Sequence, residues 1–297
     1  MRRNYIERAT ATLGVLAMLA IFASCSAPMR ATPVVSELVA PGDPARVPLR
    51  RAHAVPCVEA RINGSLGLFA IDTGSEFSAI SPAFADTLGL VPKESSQRIY
   101  DAHGERVDLR VATLSDIRLG AAHFTSLNVI VTELPESMQV DGFLGRRLFD
   151  YVALTIDGPR DLVVIDQSPP EGLGDDATTL SIVPNKRREI LVPALVAGRD
   201  LSLIVDTGSA ADLCLTSDDA LGLPFEPDAE SVDSSALGST KQLRYARLAG
   251  ELRIGGVTID HPRVLIGTTQ SIVGGRLWRE AVVTIDGPSR RVRIAAG

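Results

Sequence analysis

Two apolar runs along the chain end in the same polar tetrapeptide. The run at 68–71 leads into Asp-Thr-Gly-Ser at 72–75, and the run at 203–205 leads into the same four residues at 206–209. Short apolar runs bounded by Gly, Pro, Asp or Asn are typical of β-strands. A carboxylate at the end of such a strand needs an explanation, because an isolated charge is costly to bury.

The pattern after residue 45 predicts a mostly β fold. Apolar runs of strand length recur throughout, and helical signals are brief. Ser81 and Pro82 suit the N-cap and first turn of a short helix, and "SDDALGL" from Ser217 is its counterpart. The segments "GRRLFD" and "GRLWRE" could each form a turn or two. We therefore expect closed, mostly antiparallel β-barrel-like units with short helices.

The chain also repeats itself. Gly104 and Gly238 lie at matching places in the two halves, "FLGRRLF" from Phe143 matches "IVGGRLW" from Ile272, and "LTIDGP" returns as "VTIDGP". An ordered series of matches at similar spacing indicates a duplication. The segment at 166–176 is rich in Pro, Gly and acidic residues, which is typical of a linker. The predicted organisation is a signal peptide at 1–24, a tether at 25–44, an N-terminal domain at 45–165, this linker, and a C-terminal domain at 177–297.

Duplication explains the carboxylates. Two similar halves related by a pseudo-twofold axis bring equivalent residues together near that axis, so Asp72 and Asp206 should face each other. Two close carboxyl groups share a proton, which leaves one as a base and the other as an acid. Such a pair can activate water for attack on an amide by general acid–base catalysis.

The other residues of each tetrapeptide have expected supporting roles. Gly74 and Gly208 would let backbone N–H groups turn toward the carboxylates. Ser75 and Ser209 would donate hydroxyl hydrogen bonds to hold them. The remaining pair, Thr73 and Thr207, would fix the two loops to each other.

These motifs together resemble the retropepsin-like aspartic proteases. The shared features are an apolar run into Asp-Thr-Gly-Ser, a glycine-tipped hairpin, and two apolar residues with Gly before a short helix, here at 143–145 and 272–274. Each feature occurs twice, so the chain is similar to a fused retroviral protease dimer. The resemblance implies a catalytic pair, Asp72 and Asp206, with a polypeptide substrate, no metal and no cofactor. It also implies activity as a monomer.

The resemblance further implies two flaps that close over an extended peptide. They would be hairpins around His103-Gly104 and Leu237-Gly238. The halves of the cleft differ, because Tyr100 and His103 have no equivalents in the second flap. Glu76 likewise has no counterpart, and it is expected either to contact substrate or to be solvated.

The N-terminal 25 residues differ from the rest of the chain. Basic residues precede an apolar run at 11–22, which is typical of a secretory signal and too short for an ordinary membrane span. The following "FASC" resembles a bacterial lipobox, in which Cys25 would be lipidated, and ordinary signal cleavage is the alternative. We expect an exported, periplasmic protein with a lipid anchor, in the outer membrane rather than the inner.

Net charge and the placement of His and Cys argue against nucleic-acid binding and metal binding. The net charge of −6 and short arginine pairs give no support for nucleic-acid binding. The four histidines are scattered, with no metal-binding spacing. Cys57 and Cys214 could form a disulfide in an oxidising compartment, but buried free thiols are favoured because they lie in different halves.

Two alternatives stay open on sequence grounds. The chain could be a non-catalytic peptide-binding module of the same fold. It could also be a protease whose repeats pair between chains, like with like.

Overall fold

The computed structural model describes residues 43–50, 55–95, 99–135, 138–168, 173–237 and 239–297, with the backbone of 22–23 and 36–38. The predicted signal peptide and tether lie almost entirely outside the described residues, as do Cys25 and Gly238. Among the described residues, no helix is long and apolar enough to cross a membrane.

The described part of the chain is built mainly from short β-strands. In the first half these are β1 (Phe22–Ala23), β2 (Ser36–Leu38), β3 (Ala45–Arg50), β4 (Cys57–Ile62), β5 (Ser65–Asp72), β6 (Ser78–Ile80), β7 (Lys93–Glu94), β8 (Ile99–Tyr100), β9 (Arg106–Val107), β10 (Arg110–Leu114), β11 (Ile117–Leu119), β12 (Ala122–Phe124), β13 (Leu127–Val131), β14 (Gly142–Gly145), β15 (Ala153–Asp157) and β16 (Leu162–Asp166). In the second half they are β17 (Thr179–Ser181), β18 (Leu191–Val196), β19 (Arg199–Val205), β20 (Leu213–Leu215), β21 (Glu230–Ala236), β22 (Ser239–Arg247), β23 (Glu251–Ile254), β24 (Val257–Asp260), β25 (Arg263–Ile266), β26 (Ile272–Val273), β27 (Ala281–Asp286) and β28 (Arg291–Ala296). The mostly β fold class is therefore confirmed.

The helices are short and begin where the sequence predicts. They are α1 (Pro82–Thr87), a 3-10 helix (Arg146–Phe149), α2 (Ser217–Ala220) and α3 (Arg276–Glu280). Ser81 caps α1 by accepting a hydrogen bond from the N–H of Phe84 at 3.1 Å, which satisfies a donor that the first helical turn leaves free. Thr216 does the same for α2.

The duplication is visible in the strand pairing. In the first half, β14 is parallel to β5 and antiparallel to β6, and β6 is parallel to β13. In the second half, β26, β19, β20 and β25 repeat these relations. The two halves therefore share one topology around the strands that lead into the tetrapeptides.

The halves are joined by a shared antiparallel sheet in the order β17-β28-β27-β15-β16-β3. Its central pair, β15 and β27, carries the two "TIDGP" copies, with Thr155 opposite Thr284 and their hydroxyls 2.9 Å apart. Because these two residues are equivalent in the repeats, the pseudo-twofold axis passes between them. The duplicated halves are thus parts of one continuous structure.

Each half also has its own apolar core. The first core contains four phenylalanines, and Trp278 of the second half packs into it. The second core is built mainly from aliphatic side chains. Cys57 and Cys214 are buried free thiols, and burial raises the pKa of each to about 12, which disfavours the reactive thiolate as long as they stay buried.

Candidate active site

The two aspartates lie at equivalent ends of equivalent strands. Asp72 is the last residue of β5, and Asp206 directly follows β19. Neither side chain has any exposed surface. The parallel neighbours β14 and β26 support the two strand ends from the same side. The site therefore rests on the buried ends of equivalent strands in the two halves.

Reciprocal hydrogen bonds lock the two loops together. The N–H of Thr73 donates to Oγ1 of Thr207, and the N–H of Thr207 donates to Oγ1 of Thr73, both at 3.1 Å. Each hydroxyl then donates across the axis, Thr73 to the carbonyl of Val205 at 2.8 Å and Thr207 to that of Ile71 at 2.6 Å. All of these groups are buried. The structure thus has the loop-to-loop contact that the sequence predicts.

The glycines allow the carboxyl groups to approach the opposite loops. A Cβ added at Gly74 would lie 2.3 Å from Cγ of Asp206, and one at Gly208 would lie 2.6 Å from Cγ of Asp72. Both distances are far below van der Waals contact. Each carboxyl group therefore occupies the space that any other residue would need, and the structure brings the two aspartates together.

The environment favours a shared proton. Burial raises the pKa of the Asp72 carboxyl well above its usual range, and the nearby Asp206 charge raises it further. Burial also raises the pKa of Asp206, although its interaction with Asp72 and the N–H of Gly208, 2.8 Å from Oδ1, favour its ionised form. The Oδ2 atoms of both carboxyl groups are buried and lack a partner among the described residues. Such a pair holds one proton between its members.

The two serines support the loops in another way than predicted. The hydroxyl of Ser75 donates to the carbonyl of Phe77 at 2.8 Å, and that of Ser209 to the carbonyl of Ala211 at 3.4 Å. A hydroxyl has one hydrogen to donate, so neither donates to a carboxylate, and that prediction is wrong. Ser75 instead offers its backbone N–H to Oδ1 of Asp72 at 2.9 Å.

Glu76 is paired with arginine side chains and is largely shielded from solvent. Its carboxylate forms an ion pair with Arg147 and lies 4.0 Å from Nη2 of Arg146, with 16% of the side chain exposed. In the second repeat, Arg276 stands at the place of Arg147 and forms an ion pair with Asp212 at 3.0 Å. The expectation of a solvated Glu76 is therefore wrong, because a neighbouring cation satisfies its charge within the repeat, whereas contact with a substrate stays a prediction.

Sequence reasoning missed Arg146. Its guanidinium is buried and donates to the carbonyls of Gly74 at 3.1 Å and Arg187 at 2.7 Å. Burial lowers its pKa, while its positive charge favours the ionised form of Asp206. A comparison of the two repeats could have pointed to it, because Gly275 occupies the equivalent position in the second repeat and the copies therefore differ there. The site is therefore electrostatically asymmetric although its loops are duplicated.

The structure has hairpins at both predicted flap positions. The first is β8 and β9 with the turn 101–105, where Gly104 has a φ of 80° that side chains other than glycine rarely adopt. Tyr100 is half-buried on β8 opposite Arg106. The second flap is β21 and β22, with Leu237 at its turn. His103 and Leu237 are both buried rather than exposed at the tips.

Within the described ranges, no cluster of His, Cys, Asp or Glu has the arrangement of a metal site. The functional groups brought together here are therefore two carboxyl groups, backbone N–H groups and hydroxyls.

Comparison with protein families agrees with this geometry. A family profile described as aspartyl protease matches residues 58–148 and again 192–277. The two matches cover more than half of the chain, and each includes one Asp-Thr-Gly-Ser loop and one short segment, Gly-Arg-Arg-Leu in the first half and Gly-Arg-Leu in the second. A search among curated proteins found no match. The chain therefore belongs to the retropepsin-like aspartyl protease family, in a duplicated form.

Proposed function

We propose that the protein is an aspartic endopeptidase in which Asp72 and Asp206 of one chain activate a water molecule for attack on a peptide bond. The observation that carries the proposal is the locked pair of loops, which places both carboxyl groups against the opposite glycines. Family membership supports a protease with a polypeptide substrate. Both loops come from the same chain, which supports activity as a monomer.

The two carboxyl groups would take different roles. Asp72, whose pKa is raised most clearly, would hold the shared proton and donate it to the carbonyl oxygen of the substrate. Asp206, favoured in its ionised form by Arg146, would accept a proton from the attacking water. The unpartnered Oδ2 atoms are the positions at which this proton and this water would be held.

Peptide-library cleavage by the full-length chain tests the proposal. We expect internal cleavage of extended peptides, without added metal, and loss of cleavage when either aspartate is replaced. A library left intact at every pH would instead favour the peptide-binding module. Partial activity in a single aspartate variant would favour repeats paired between chains.

The pH dependence of cleavage follows from the shared proton. Activity is lost in acid, where the base gains a proton, and at high pH, where the shared proton leaves. Because burial raises the pKa of both carboxyl groups, cleavage should persist well above the ordinary Asp value of about 4. A profile of kcat/KM against pH measures this, and an optimum confined below about pH 4 would contradict it.

The raised pKa values of the two aspartates also predict how the stability of the fold changes with pH. The folded state holds the dyad protons more tightly than the unfolded state, so this contribution is present in acid and is lost as pH rises through the raised pKa values. Urea unfolding of wild type and of Asp72→Asn at several pH values isolates it.

A glycine in each loop offers a sharper test of the geometry. Gly74→Ala places a methyl group where the Asp206 carboxyl lies, so the carboxyl group or the loop must move. We expect activity to fall by about 100-fold or more, since small displacements of reacting groups have effects of that order. Gly174→Ala is the matched control, because its Cβ would meet only Arg293 at 3.9 Å. Activity unchanged by Gly74→Ala would contradict the site.

We also propose that the protein is exported and lipid-anchored through Cys25, and that it cleaves exported proteins. The support is the N-terminal sequence, with its basic residues, apolar run and lipobox-like segment. Metabolic labelling with a fatty-acid analogue tests this, with Cys25→Ser as the control. Label retained by Cys25→Ser would contradict the anchor.

A further inference from the structure

The tip of the first flap is bound by side chains of the second half. The carbonyls of Ala102 and His103 accept hydrogen bonds from Oγ1 of Thr269 at 2.7 Å and Nζ of Lys241 at 2.8 Å. The ring of His103 lies between two serines, with Nδ1 2.7 Å from Oγ of Ser239 and Nε2 3.1 Å from Oγ of Ser234. The hydroxyl of Ser239 also donates to Asp101. We call this set the flap clasp; its members are Asp101, Ala102, His103, Ser234, Ser239, Lys241 and Thr269.

The clasp defines the protonation state of His103. Ser239 donates its only hydrogen to Asp101, so its oxygen must accept a hydrogen from Nδ1 of His103. Nε2 of a neutral ring then carries no hydrogen and accepts from the hydroxyl of Ser234. The clasp in this form therefore favours a neutral His103. Nε2–H of a protonated ring would donate to Ser234, and the buried hydroxyl of Ser234 would lose Nε2 as its acceptor.

Each flap tip also covers an apolar cluster of the opposite half. Leu237 of the second flap packs with first-half residues that include Ala70 and Phe77, and Ala102 of the first flap packs with second-half residues that include Ile204 and Ala211. Ala70 and Ile204 lie two residues before the aspartates, on the same face of their strands. The tips therefore cover the apolar surfaces beside the dyad, where a peptide would have to lie.

The dyad and the centre of the clasp are buried in this structure. Both aspartates have no exposed surface, and Asp101 and Ser234 in the clasp are equally buried. A peptide reaches the dyad only after the tips separate. The hydrogen bonds of the clasp must then break, since those of Ser234, Ser239 and Lys241 join the first flap to the second flap, and that of Thr269 joins it to the rest of the second half.

We propose that the flap clasp is a gate on the dyad, and that protonation of His103 opens it. The proposal rests on the proposed function for its consequence, which is control of substrate access. The clasp is a consequence of differences between the two repeats. Ser235 and Leu237 stand where the first flap has Asp101 and His103, so the second flap lacks the side chains for an equivalent clasp.

The charges around His103 agree with acid opening. Burial lowers the pKa of His103. Asp101 and Glu105 on its own hairpin favour the charged ring, whereas Lys241 on β22 opposes it. In the open state the ring would regain its ordinary pKa of about 6.5. Because the closed state binds this proton less tightly, acidification below that value shifts the population toward the open state.

Thiol labelling measures opening without any need for catalysis. Cys57 and Cys214 are fully buried members of the two covered clusters, so their reaction with 4,4′-dithiodipyridine requires the tips to move. The experiment uses the full chain with Cys25→Ser, and compares it with the same chain carrying His103→Gln, which does not titrate. His123→Gln is the matched control, since His123 lies on β12 and pairs with Asp116.

At about pH 7.5 we expect the thiols to react about tenfold faster in His103→Gln than in the parent chain, because the clasp is weakened. At about pH 5 the two rates should converge, as protonation opens the parent. His123→Gln should follow the parent at both values. A ratio that is the same at both pH values would overturn the gate. Ser234→Ala, which removes the donor to Nε2, replaces His103→Gln if that variant fails to fold.

Peptide cleavage by the same proteins separates the two proposals. The gate predicts that His103→Gln gains kcat/KM near neutral pH relative to the parent, and that the gain disappears in acid. If the labelling rates converge but no peptide is cleaved, the proposal of a protease is wrong and the proposal of a gate stands. If peptides are cleaved but the ratio of the two labelling rates is the same at both pH values, the proposal of a gate is wrong and the proposal of a protease stands.

Discussion

Replacing Asp72 by Asn, or Asp206 by Asn, is expected to reduce peptide cleavage by about 10³-fold or more in each case. Asparagine has the size of aspartate but can neither share the proton nor accept one from water. Because both carboxyl groups lie in one chain and face the opposite loop's glycine, no second copy of the dyad remains to replace the lost one. The measurement is kcat/KM on a peptide identified from the library.

Folding has to be checked alongside activity, since both residues are buried. We expect the Asn variants to stay folded, because replacing one carboxyl group of the buried pair relieves the repulsion between the two. Asp200→Asn is the matched control, as Asp200 lies exposed on the same strand that leads to Asp206. If one Asn variant kept about half of the wild-type activity, the intramolecular dyad would be wrong.

The second large effect is expected on stability. Thr73→Val keeps the shape of the side chain but removes an acceptor from the N–H of Thr207 and a donor from the carbonyl of Val205. Each buried group left without a partner costs about 1–3 kcal/mol, so with two such groups the free energy of unfolding should fall by roughly 2–6 kcal/mol. Urea unfolding measures the change, and the reciprocal variant Thr207→Val should behave alike.

An exposed threonine provides the control for this change. Thr113→Val removes a hydroxyl that donates to Asn128 at the surface, where water can replace the lost bond, so the effect should be within about 0.5 kcal/mol. The double variant of Thr73 and Thr207 should cost less than the two single changes together, because they share partners. A loss below about 1 kcal/mol in the single variants would show that the loops are held by other contacts.

The duplicated loops are set in unlike surroundings. Arg146 donates to the carbonyl of Gly74, whereas its equivalent Gly275 has no side chain to offer. The clasp likewise has no reciprocal copy, because the second flap has Leu237 where the first has His103. A fused chain can vary one copy while keeping the other, which two identical subunits cannot do. Our proposal that Asp72 is the acid and Asp206 the base rests on this asymmetry.

Much of the fold follows from patterns that are local in sequence. The apolar runs predict the strands, Ser81 and Pro82 predict the start of α1, and the ordered repeats predict two halves of one topology. The pairing of Asp72 with Asp206 follows from the duplication, because symmetry brings equivalent positions to the axis. None of these inferences needs a contact between unlike residues.

The sequence alone therefore determined the family resemblance, the two tetrapeptide loops and the aspartates that they carry. Only the tertiary structure decided how Glu76 is neutralised, where the hydroxyls of Ser75 and Ser209 donate, and that Arg146 supports one loop. It also revealed the clasp, whose partners His103 and Ser239 are far apart in the chain. The reason is physical: repeated positions are related by symmetry, whereas contacts at positions where the copies differ depend on which unlike side chains packing brings within hydrogen-bonding distance.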